Sequence, residues 1–88
     1  MTERIFIVKN RLGLHARPAA MFVKEAAAHQ CSVVVVKDGL EVNGKSVMGL
    51  MLLAAESGSK LTVRADGADE AEALTALAGI FERKFDEE

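Results

Sequence analysis

Ser-Val-Val-Val-Val-Lys-Asp-Gly-Leu-Glu-Val-Asn, residues 32–43, is the run on which the fold turns. Four consecutive valines predict a strand over Ser32–Lys37, apolar enough to be buried on both faces. Asp38-Gly39 follows, a dipeptide that tolerates the positive φ of a two-residue hairpin turn. Leu40–Asn43 then returns as a short second strand. An antiparallel pair is therefore expected, and the rest of the chain has to be packed around it.

Upstream, Arg4–Val8 predicts a first strand, with either Phe6 and Val8 or Ile5 and Ile7 facing inward. Asn10–Gly13 is a loop. A helix follows from about Arg17 to Ala28, with Ala19, Phe22, Val23 and Ala26 on one buried stripe. Pro18 suits the first helical turn, and its bias against helical geometry in the preceding residue sets the boundary at Arg17.

Downstream, Gly44-Lys45 is a turn, and Ser46 is placed to cap a short helix over Val47–Leu53. Ser57-Gly58-Ser59 breaks the chain. Leu61, Val63 and Ala65 then alternate with Thr62, Arg64 and Asp66, the pattern of a half-buried strand. Asp69 with Glu72 reads as an acidic capping box, opening a last helix with Leu74, Leu77, Ala78, Phe81 and Phe85 on one stripe. Asp86-Glu87-Glu88 is expected to fray. The order βαββαβα predicts one α+β domain over residues 1–88, with helices covering one face of a mainly antiparallel sheet.

Composition narrows the function. A formal net charge of −2 lacks the basic excess of a nucleic-acid protein. No apolar run approaches the ~20 residues of a membrane span, and no signal peptide precedes the first strand. Cys31 is the single cysteine, which excludes an internal disulfide and a multi-cysteine metal site and suits a cytoplasmic protein. No metal or cofactor is expected.

The chemistry concentrates in Gly13-Leu14-His15-Ala16-Arg17-Pro18, a loop running into a helix. A helix start offers unpaired N–H groups and the positive end of its dipole to an anion. His15 is a nucleophile at that point, and Arg17 adds a guanidinium fork suited to phosphate oxygens. Spacing alone leaves His15 either a phosphoryl acceptor or an ordinary histidine near a helix cap. His29, near a helix end with no arginine behind it, reads as structural. Ser46 is either a simple cap or a phosphorylation site, where added charge would meet a helix start. Ala20, Met21 and Lys24, with Val47, Met48 and Met51, fall off the buried stripes. They either form a docking surface or pad the core edge.

Gly-Leu-His-Ala-Arg-Pro-Ala-Ala at 13–20, together with Asn-Gly-Lys-Ser-Val-Met-Gly-Leu-Met at 43–51, resembles the HPr family. These are the histidine-containing phosphocarriers of the bacterial phosphoenolpyruvate-dependent sugar phosphotransferase system. The resemblance spans the chain from first strand to last helix. It implies an open-faced β-sandwich, four antiparallel strands covered on one face by three helices. It further implies that His15 is phosphorylated on Nδ1 by Enzyme I and passes the phosphoryl group to an EIIA protein, with Arg17 as that group's partner. Ser46 corresponds to the regulatory serine of HPr kinase/phosphorylase. Such a chain is a carrier rather than an enzyme. The Crh paralogue has glutamine at the histidine position and does not fit His15. The nitrogen-branch homologue NPr keeps the histidine but lacks the full Gly-Lys-Ser-Val-Met-Gly run, and ranks second. A regulatory binding module answering only to Ser46 is the rival of a different class.

Overall fold

The computed structural model describes residues 1–87. Its elements are β1 (Thr2–Ile7), α1 (Ala16–Ala27), β2 (Ser32–Lys37), β3 (Leu40–Asn43), α2 (Val47–Leu52), β4 (Lys60–Asp66) and α3 (Glu70–Glu82), then a tight turn at Lys84–Asp86. The strands form one antiparallel sheet in the order β1-β4-β2-β3. Asp38 (φ 50°) and Gly39 (φ 84°) both take positive φ in the two-residue turn that joins β2 to β3, as their residue types require.

Inward-facing side chains alternate along the strands. Phe6, Val33, Val35, Leu61, Val63 and Ala65 are buried, and Ile5 is exposed. The choice left open for the first strand thus falls to Phe6, with Val8 buried just past its end. The valine run is fully buried on one face only. Val34 and Val36 are half-buried because the helices share the opposite side of the sheet, leaving this face open.

Phe81 on α3 gathers the core. Its ring stacks on Phe6 of β1 with centroids 4.8 Å apart and meets Phe22 of α1 edge-on at 6.1 Å. Phe85 meets it edge-on at 4.9 Å. All four phenylalanines of the chain therefore join one cluster.

Three sequence expectations change near the chain's helix ends. First, α1 begins at Ala16, one residue earlier than read, because His15 is the extended residue before the helix (φ −86°, ψ −168°). Arg17 is helical despite the following proline. Pro18 lies in the first turn, where its missing N–H leaves no acceptor unsatisfied. Second, Asp69 precedes α3 but does not cap it. Its carboxylate instead accepts the backbone N–H groups of Gln30 and Cys31, each at 2.9 Å, tying the loop after α1 to the start of α3. Glu70 accepts the N–H of Gly67 at 3.0 Å.

Third, Phe85 is not on the α3 stripe, because α3 ends at Glu82 and Lys84, Phe85 and Asp86 take φ of 54°, 55° and 58°. Left-handed conformation costs a residue with a side chain about 1–2 kcal/mol. Full burial of the Phe85 ring against Phe81 is the compensating contact. The turn brings Glu87 back against Asn10 and His15, whereas Asp86 stays exposed beside Arg83. Glu88 lies outside the described residues.

Two measurements follow from this packing. Phe81→Ala removes the ring shared by two elements and the tail, and should cost about 3–5 kcal/mol in denaturant unfolding. Asp69 supplies a pH signature. The N–H groups of Gln30 and then Cys31 hold its carboxyl below the usual carboxylate range, against the opposing effect of burial. A depressed folded pKa stabilises above the unfolded value of about 3.9 and ceases to do so as pH falls through the folded one. Asp69→Ala should lower the thermal midpoint at neutral pH, with the gap to the parent closing below about pH 4.

Candidate functional site

The loop before α1 is held from two directions. Gly13 has φ 75°, and a Cβ there would lie 2.5 Å from the carbonyl oxygen of Ala55, so glycine is required by conformation and by space. The N–H of Leu14 donates to that same carbonyl at 2.8 Å, fastening the loop to the segment after α2. On the other side the fully buried Asn10 donates from Nδ2 to the carbonyl of Gly13 at 2.6 Å. The loop thus delivers His15 to the head of α1 with little freedom.

The His15 side chain is 39% exposed and does not cap its own helix. The N–H of Ala19 donates to the His15 carbonyl at 2.9 Å, and Pro18 has no N–H. The N–H groups of Ala16 and Arg17, which have no protein acceptor among the described residues, are the open donors at this end. They add to the dipole of a helix of 12 residues, whose first turn carries no acidic side chain. Arg17 is exposed and lines a hollow of about 290 Å³ with Arg11, Leu12, Asp86 and Glu87. The head of α1 thus offers an anion two backbone donors and a helix dipole next in sequence to His15, with the Arg17 side chain in the adjoining hollow.

The His15 ring itself has a partner at Nε2. Nε2 lies 3.1 Å from Oε2 and 3.2 Å from Oε1 of Glu87, whose Oε1 accepts as well from Asn10 Nδ2 at 3.1 Å. Neither Asn10 nor Glu87 was singled out from the sequence. Glu87 was read only as part of an acidic tail, and the residue types at 84–86 carry no signal for a left-handed turn.

Ser46 stands at the N-cap of α2, its Oγ accepting the N–H of Gly49 at 3.0 Å. The capping role read from sequence is therefore made. α2 packs on α1. Ala20 and Lys24 are exposed on α1, and Met48 (79% exposed) and Met51 are exposed on α2. Met21 and Val47 differ from the others: both are half-buried against the core, so they pad its edge as well as reaching the surface. Leu52 is exposed beside Met51 and extends the apolar patch.

His29, at the far end of α1, is flanked by carboxylates, with Nε2 3.2 Å from Glu25 and Nδ1 3.4 Å from Asp69. Its backbone carbonyl also accepts from Lys45 Nζ at 2.8 Å. Cys31 is buried, and burial followed by the neighbouring Asp69 pushes its thiol pKa up, the reverse of what a reactive thiolate needs. Among the described residues no group of three metal-ligating side chains comes together, and no helix is long and apolar enough to cross a membrane.

Comparison with known proteins agrees with this arrangement. The family model described as "PTS HPr component phosphorylation site" matches residues 2–83. The phosphocarrier protein HPr of Xylella fastidiosa is 47% identical, the match covering 100% of this chain and 99% of that one. The HPr-like protein Crh of Halalkalibacterium halodurans is 48% identical, over 96% of this chain and 100% of its own. A crystal structure of HPr from Thermoanaerobacter tengcongensis superposes with a TM-score of 0.96 at 45% identity, covering 100% and 99% of the two chains. The histidine at the head of the first helix, the sheet order beneath it and these full-length matches lead to one identification: the chain belongs to the HPr phosphocarrier family of the phosphotransferase system.

Proposed function

We propose that His15 accepts a phosphoryl group on Nδ1 from phospho-Enzyme I and passes it to an EIIA protein or domain, and that Ser46 is a regulatory site for HPr kinase/phosphorylase. The observation that carries the reading is the half-exposed His15 ring at a helix start where two N–H groups and Arg17 are free to meet an anion. An open site suits a relay, because donor and acceptor proteins both need to reach the same nitrogen. Neutral imidazole attacks phosphorus through its lone pair, and the phosphoryl oxygens then lie against the donors at the head of α1. The chain turns nothing over alone; its partners supply the rest of each active site.

Ala20, Met21, Lys24, Val47, Met48 and Met51 make the proposed docking surface, and we include Leu52, which is exposed beside Met51. Exposed methionines adapt to more than one partner, which a carrier shared between Enzyme I and EIIA requires. A regulatory role without sugar transport is the second reading, favoured by the intact Ser46 motif and by Crh among the relatives. His15 separates the two. Incubation with phosphoenolpyruvate and Enzyme I should place one acid-labile phosphoryl group on the parent and none on His15→Ala, with the thermal midpoint unchanged. Equal labelling of the variant would overturn the assignment. Arg17→Ala should slow transfer about tenfold to a hundredfold, as loss of a charge-assisted hydrogen bond of roughly 1.5–3 kcal/mol implies.

Phosphorylation of Ser46 adds about −1.5 to −2 charge at neutral pH. A carboxylate or phosphate at this position still accepts the N–H of Gly49 and meets the favourable end of α2, so the fold is retained. Inhibition then acts at the interface, where the new charge stands next to Met48 and has to be desolvated on docking. Ser46→Asp should weaken Enzyme I binding and slow phosphorylation of His15 without lowering the thermal midpoint, and the electrostatic part of the defect should shrink as salt rises. Undiminished binding at low salt would return Ser46 to a cap alone.

A further inference from the structure

Glu87 reaches the reactive ring from a point 72 residues away in the chain. Its side chain is only 14% exposed, and its carboxylate accepts from two groups at once, the Asn10 amide and the His15 ring. Asn10 is itself buried and spends its other contact on the Gly13 carbonyl. The carboxylate is therefore fastened to the same loop that sets the position of His15. Phe85, buried against Phe81, anchors the turn that brings it there.

An ionised carboxylate has no hydrogen to donate, so the contact to Nε2 requires the proton on Nε2. Neutral imidazole carries a single ring proton, and Nδ1 is then left with a bare lone pair. We infer that Glu87 is a positioning residue for the phosphoryl relay: it holds His15 as the Nε2–H tautomer, directs nucleophilicity to Nδ1, and balances the charge that the ring gains in transfer. The inference rests on the reading of His15 as phosphoryl acceptor.

The step balances without a proton leaving the ring. The Nδ1 lone pair forms the N–P bond while the bond from phosphorus to the donor protein breaks, its electron pair staying with the donor. The ring thereby becomes a phosphorylated imidazolium, with its positive charge shared by the Nε2–H that points at Glu87. On transfer to the acceptor the N–P bond breaks and its pair returns to Nδ1. The leaving group is then neutral imidazole, not the far more basic imidazolate, because Nε2 has kept its proton. A histidine oriented through its second nitrogen by a carboxylate is a general device of nucleophilic and metal sites. Here the carboxylate lies on the Nε2 side, and Arg11, Arg17 and Asp86 are the other charged groups around the same hollow.

The test uses the full chain with Glu87→Ala and Glu87→Gln. Ring 15N NMR of the unphosphorylated proteins reads the tautomer directly. The parent should be almost wholly Nε2–H, the alanine variant should gain a measurable Nδ1–H fraction, and glutamine should keep the parent tautomer through its carbonyl oxygen. Single-turnover transfer from phospho-Enzyme I should fall about tenfold in the alanine variant, with glutamine between, since it preserves the acceptor but not the charge. Thermal midpoints near that of the parent exclude a merely structural effect. If the alanine variant matches the parent in both tautomer ratio and rate, Glu87 has no positioning role. If the parent itself takes up no phosphoryl group, the reading of His15 falls, and this inference falls with it.

Discussion

The ring of Phe81 is the contact on which both the fold and the site depend. One face and edge of it receive Phe6 from the sheet and Phe22 from α1, and its remaining edge receives Phe85 from the final turn. A chain of 88 residues buries a modest share of its surface, so a single shared cluster has to lock several elements at once. Phe22 holds the helix whose first turn follows His15, and Phe85 holds the tail whose Glu87 touches His15. The two arms of the site are thus connected through the core by one aromatic side chain.

Most of the fold was legible because it is written in local patterns. Alternation over Leu61, Val63 and Ala65 and the Asp38-Gly39 turn are short-range signals, and each element they mark is present. What could not be read is where polar groups go when a better partner lies elsewhere. Asp69 sits where a cap belongs, yet two N–H groups left free after α1 lie within its reach, and bonding both of them outweighs capping one. Phe85 fits the helical period of α3 and leaves it, because the aromatic contact is reached by turning the chain back rather than extending it. In both cases tertiary contact prevailed over a local preference.

The same division runs through the site. His15, Arg17 and the donors of α1 lie within a few residues of one another, so spacing marks the place, while the resemblance of the two motifs to a family was needed to give it a meaning. Ser46 is legible for the same reason, since a cap involves neighbours three residues apart. Glu87 belongs to the site through contacts to His15 and Asn10 that span 72 and 77 residues, and no local pattern encodes such a pairing. Met21 and Val47 show the limit from the other side. Helical spacing takes them off the buried stripe, yet both are half-buried against the core, and Met21 lies near Ile80 and Arg83 at the end of α3.

A carrier has to bind its cargo well enough to take it and loosely enough to release it, and the geometry answers both demands by being open on one side. Glu87 meets His15 at Nε2, while Nδ1 has no hydrogen-bond partner among the described residues and the side chain stays 39% exposed. In the proposed relay two backbone N–H groups and one exposed guanidinium would meet the phosphoryl group without enclosing it, so solvent would compete with every contact. Full desolvation comes only when a partner covers the site. The apolar patch of Met48, Met51 and Leu52 has the composition to drive that coverage by burial rather than by charge. On the proposed reading chemistry and docking separate: the head of α1 would meet the phosphoryl group, and α2 would meet the partner. On that reading a charge placed on α2 would act on access alone, which would make a serine that caps a six-residue helix a suitable place for control.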